Sequence, residues 1–201
     1  MFINKYLFIF AVSFKTQTKM KSRTNPILKV LYVLSWIIFA GVCIEAGGSI
    51  FSAFYTLVIN PINAATFWVG NDLSSLYKYD PGHFFAETLY ISIAGVLKAC
   101  IFYLIIKYLH PKKLSMSQPF STELGRLIIN ISYLALLIGL FCLWGVKYTE
   151  WLVKQGVTMP DTQHLRLGGG DVWLFMGVIL FAIAQIFKRG IEIQSENELT
   201  V

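Results

Sequence analysis

The chain has 201 residues, 56% of them hydrophobic and 14% charged, with a mean hydropathy of +0.61. Water-soluble domains carry about a quarter charged residues, so the composition excludes an ordinary soluble domain, and the length suits one compact helical bundle. The net charge of +6 points to anionic lipid rather than direct contact with nucleic acid, because the basic residues border long apolar runs.

Residues 1–26 read as a basic, cytoplasmic N-terminal segment. Tyr6 to Phe14 is apolar and follows Lys5, but no small-residue cleavage site comes after it, so a secretory signal is a poor description. Met20-Lys21-Ser22-Arg23 resembles a conventional basic start. Residues 1–19 are therefore read as a misassigned translation start or as a segment lying on the membrane surface.

A helix needs about 20 mostly apolar residues to cross hydrocarbon, and four runs meet that length or come close. The first, Val30 to Ile59, carries Glu45. As an unbroken helix it would reach ~45 Å, so a break is expected at Gly47-Gly48, with Ser49 to Ile59 partly interfacial. The second, Thr88 to Ile106, carries Lys98; the third, Leu127 to Val146, carries no charge. Asn130, Ser132 and Tyr133 early in that third run are read as packing contacts to a neighbouring helix. The fourth, Val172 to Phe187, is bracketed by Asp171, which suits a first helical turn, and by Lys188-Arg189-Gly190, which suits a last one. None of the four shows sustained alternation, so the fold class expected is all-α: four transmembrane helices forming a bundle over residues 27–187.

Loop charge predicts orientation. One side collects Lys5, Lys15, Lys19, Lys21, Arg23, Lys29, Lys107, Lys112, Lys113, Arg126, Lys188 and Arg189; the other has Lys78, Lys147, Lys154 and Arg166. Both termini are expected in the cytoplasm, and the protein in the inner (plasma) membrane. The outer loops, 60–85 and 147–171, are long for mere connections. Trp68, Tyr77, Tyr79, Tyr148 and Trp151 in them suit the headgroup level. Asp80-Pro81-Gly82-His83 and Pro160-Asp161-Thr162-Gln163-His164 hint at two related hairpins.

Few residues suggest chemistry. Glu45 and Lys98 are read as the two charges well inside spans, where ionisable groups usually face protein or water. Counted from the basic inner edge they differ in height by ~10 Å, near their combined reach. They form a candidate intramembrane ion pair, with headgroup snorkelling or a proton- or ion-sensitive site as alternatives. His83 and His164 are weak as metal ligands, and Cys43, Cys100 and Cys142 sit apart inside apolar runs without metal or disulfide spacing. No nucleophile–base pattern, phosphate loop or metalloprotease motif occurs, so no cofactor, no metal and no enzymatic activity are expected.

The chain closes on Phe187-Lys188-Arg189-Gly190, Ile191-Glu192-Ile193-Gln194-Ser195 and Glu196-Asn197-Glu198-Leu199-Thr200-Val201. A span ending in a basic pair, followed by a short acidic tail over 188–201, resembles a bacterial membrane family of unknown function, domain of unknown function 2975, which includes YoaS-like proteins. The likeness is specific over Leu165 to Val201, and the four-span layout extends it back to Met20. It implies a four-helix inner-membrane protein and a possible partner, a small cytosolic helix-turn-helix transcription regulator. It brings no established site residues. Glu192, Glu196, Asn197, Glu198 and Leu199 are then candidate partner-binding residues, since anionic lipid repels an acidic tail into the cytosol. The alternative from another class is a small transporter, channel or immunity-type protein using Glu45 and Lys98.

Overall fold

A computed structural model describes residues 26–110 and 121–198; the expectations placed on residues 1–25 lie outside these. Helix α1 spans Pro26–Val58. Two 3-10 turns, Pro61–Thr66 and Trp68–Gly70, lead to the short α2, Ser74–Tyr79. Then come α3, Pro81–Leu109, α4, Thr122–Lys154, and α5, Gly170–Glu198. The four long helices are each long and apolar enough to cross a membrane, and no strand forms among the described residues. The all-α, four-span reading holds. Side chains such as Ile37, Ile44 and Phe51 on α1 are about two-thirds exposed, as expected for residues whose solvent is lipid.

The long helices pack in chain order, α1 on α3, α3 on α4 and α4 on α5; no other pair of them comes together among the described residues. This is a row of neighbours rather than a bundle closed on itself. Small residues let the backbones approach. A Cβ added at Gly95 would lie 3.1 Å from that of Ala46, and one at Gly139 would lie 2.8 Å from the carbonyl oxygen of Gly170. Ser132 donates a hydrogen bond to the Gly177 carbonyl across α4 and α5 at 2.9 Å, and the Tyr133 and Phe181 rings meet at a tilt of 46°.

Several boundaries differ from expectation, each for a local reason. α1 does not break at Gly47-Gly48. Gly48 instead makes room for the Trp68 indole, which an added Cβ would strike. Its outer polar groups are satisfied without a break: Ser49 and Thr56 donate to the Ala46 and Ser52 carbonyls, and Asn63 donates to the Ser52 and Thr56 hydroxyls.

α3 starts early because Asp80 caps it by accepting from the His83 amide, with Pro81 in the first turn. The other Pro-Asp-His stretch forms turns, so the two similar motifs do unrelated work. α4 runs from its Ser121 cap to Lys154, which shrinks the second outer loop to 155–169. α5 does not stop at Gly190. One glycine costs a helix about 1 kcal/mol, and the Arg189–Glu192 pair at 3.2 Å and packing of Ile191 beside Gly125 offset it.

The largest buried side chains gather where the two outer segments meet α3 and α4. Phe67, Leu73 and Leu76 from the first outer segment, Phe84 of α3, Leu152 of α4 and Leu165 and Leu167 of the second outer segment are almost wholly buried together. Phe84 is met edge-on by Phe67 and Tyr77. The two outer segments touch: Ser75 accepts from the Thr158 amide at 3.1 Å. At the head of α2 the Ser74 hydroxyl and amide bind the Asp72 carboxylate and hold it below the usual carboxylate range. The outer loops therefore form a folded cap. Trp68, Tyr77 and Tyr148 pack against its core, while Tyr79 and Trp151 stay exposed where headgroups can meet them.

A candidate cleft between two spans and a returning loop

The second outer segment does not stay above the helices. α5 begins at Gly170, against Gly139 of α4, while α4 climbs fifteen residues further to Lys154, or ~22 Å. Residues 155–169 must come back down that distance. Non-helical backbone at such depth survives only where its polar groups are satisfied by protein or a cavity. Here the segment does so internally: the Leu165 amide donates to Asp161, Arg166 to Gln163, and Leu167 and Gly168 both to Thr162. Leu167 fills the space left by Gly145, where a Cβ would lie 2.8 Å from it.

This descent carries Arg166 to the two charges singled out in the sequence. The contact of Ala46 with Gly95 puts Glu45 and Lys98 within ~3 Å of one height, less than the ~10 Å counted from Lys29 and Lys107, because those two lysines are not level. Both charges line one cleft, together with Trp68, Asn71, His164 and Arg166 and apolar walls from Val42, Phe67, Ile91 and Leu165. Its empty space, counted out to the mouth, is about 520 Å³. The ion pair of Glu45 is made with Arg166, Nε to Oε1 at 2.6 Å, while Lys98 donates to the Arg166 carbonyl at 3.1 Å. Arg166 thus stands between the two residues. It adopts a left-handed backbone with φ 60°, costly for a non-glycine residue by about 1–3 kcal/mol and kept only where neighbours enforce it.

The two loop histidines part company. His164 lines the cleft, and its carbonyl accepts from Asn71 at 3.4 Å. His83 hydrogen-bonds through Nδ1 to the Tyr148 hydroxyl and packs near Tyr79 and Trp151. Cys142 is buried, whereas Cys43 and Cys100 face outward, and all three are unpaired. In the tail, Glu192 pairs with Arg189 on a helix that continues through Glu196 to Glu198. The side chains of Asn197 and Glu198, and all of Leu199, lie outside the described residues.

Glu87 is a further acid, on the inward face of α3, that the sequence reading passed over. It is fully buried in α3, with Oε1 2.6 Å from the Thr149 hydroxyl of α4 and Oε2 without a hydrogen-bond partner. A signal was present. Phe84, Glu87, Thr88, Ile91 and Ala94 share helical spacing, and all five are buried, so Glu87 occupies the inward face at a point where the sequence looks like loop.

No curated protein and no solved structure matches the chain. A family model for proteins of unknown function, DUF2975, matches residues 59–201. The match begins after α1 rather than at Met20, so α1 with Glu45 stands outside it, while Lys98, Arg166 and the acidic end of α5 stand within. With well over half its length matched, the chain belongs to the DUF2975 family of proteins of unknown function.

Proposed function

We propose that the chain is a non-enzymatic, multi-pass protein of the inner membrane that holds a small cytosolic helix-turn-helix transcription regulator at the membrane through the acidic end of α5. The observation that carries the reading is the unbroken course of α5 through Gly190 to Glu198. Ile191 sits beside Gly125, three residues into α4. The last residues of α5 therefore pass the start of α4, and Glu192, Glu196 and Glu198 extend on a helix rigidly joined to the span. The lysine and arginine bias supports a cytosolic position for this end. A basic DNA-binding protein is electrostatically suited to it.

Ending the chain after Lys188 should release the regulator from the membrane fraction while the truncated protein remains inserted. Unchanged recovery of the regulator with membranes refutes the proposal. That outcome would favour the second reading, a small transporter, channel or immunity-type protein, which is supported by the meeting of Glu45 and Lys98 at one cleft.

A further inference from the structure

The polar groups of the cleft are unevenly matched. Arg166 spends its Nε on Glu45, and its terminal amines have no partner among the described residues. Lys98 has three N–H donors and gives one, to the Arg166 carbonyl. Trp68 walls the same space, but its indole Nε1 is itself buried and does not open onto it. Against these donors stands one acid, Glu45, leaving one positive charge in excess. Gly95 lies twelve residues above Lys107, ~18 Å by helical rise. If Lys107 marks the inner edge, the cleft falls within a ~30 Å hydrocarbon layer, where an unanswered cation is costly.

We propose that this cleft binds a singly charged phosphodiester, taking its oxygens on Arg166 and Lys98 and laying its apolar arms on Val42, Phe67 and Ile91. One negative charge balances the excess, and a planar guanidinium beside an ammonium is well shaped for phosphate oxygens. The group is the headgroup of a phospholipid or a soluble phosphodiester. The inference stands whether or not the tail holds a regulator.

Two partners of one ion pair then have opposite roles. Arg166 binds the ligand, whereas Glu45 competes with it for the same guanidinium. The test is titration of the purified full chain with phosphatidylglycerol, with its deacylated headgroup glycerophosphoglycerol, and with diacylglycerol, read by native mass spectrometry. Phosphatidylglycerol should bind and diacylglycerol should not. Arg166→Gln and Lys98→Gln should each weaken binding by about tenfold or more, the scale of a lost charge-assisted hydrogen bond. Glu45→Gln should tighten binding about threefold or more by freeing a charged donor. Tighter binding of the lipid than of its headgroup assigns the lipid as source, and equal binding assigns the soluble ester. Where Arg166→Gln does not fold, Arg166→Lys keeps the charge and should keep binding, with Lys98→Gln still carrying the loss. A shift of the same sign in Glu45→Gln and Arg166→Gln overturns the proposal, as does equal retention of diacylglycerol or no binding by either phosphodiester.

Discussion

Replacing Gly139 by valine should destabilise the protein by about 3 kcal/mol, the upper part of the usual range for overpacking. The first carbon added there would stand 2.6 Å from the Leu174 side chain and 2.8 Å from the Gly170 carbonyl oxygen. Backbone cannot swing aside as a flexible side chain can, so α5 must retreat from α4. Its retreat would pull on residues 155–169, which reach Gly170 at that contact, and loosen Arg166 from Glu45. Gly41→Ala is the control: nothing lies within 4 Å of a Cβ at Gly41, so helix propensity alone should leave stability equal or higher by about 1 kcal/mol. Reversible unfolding in mixed micelles separates the two. Equal stability of both variants would mean that α4 and α5 do not meet through these glycines.

The second large effect concerns Glu87 and Thr149. Thr149→Val removes the one hydrogen-bond partner of a fully buried carboxyl and should cost about 2 kcal/mol, since a stranded polar group loses its solvation without recompense. Adding Glu87→Leu removes the stranded group and restores an apolar contact of similar shape, so the double variant should regain most of the loss. Losses that merely add in this double-mutant cycle would show that the pair does not hold α3 and α4 together.

Much of the architecture was legible because hydrocarbon imposes a simple rule. Long apolar runs become spans, whereas the Asp80 and Ser121 caps, which start α3 and α4 ahead of those runs, are local signals that the apolar count does not register. The path of residues 155–169 was not legible. Nothing within that stretch says that it descends; the information sits on α4, where Ala135, Gly139, Cys142, Gly145 and Thr149 form a buried stripe of small residues that admits Leu167 and the start of α5. Glu45 and Lys98 were found as charges in apolar runs, yet their common neighbour Arg166 was counted as an ordinary outer-loop cation. Gly190 looked like a helix stop because local propensity favours one there; the Arg189–Glu192 pair and packing on α4 override it.

The central claim is four crossings that leave both ends of the described chain on the cytosolic side. Membrane-impermeant maleimide labelling tests it directly, in a background with Cys43, Cys100 and Cys142 replaced by alanine. Lys29→Cys and Ser195→Cys should react only in inverted vesicles, and Gln155→Cys only in intact cells with the outer barrier opened. Labelling of positions 29 and 195 from opposite faces, or of 155 and 195 from the same face, would contradict the account.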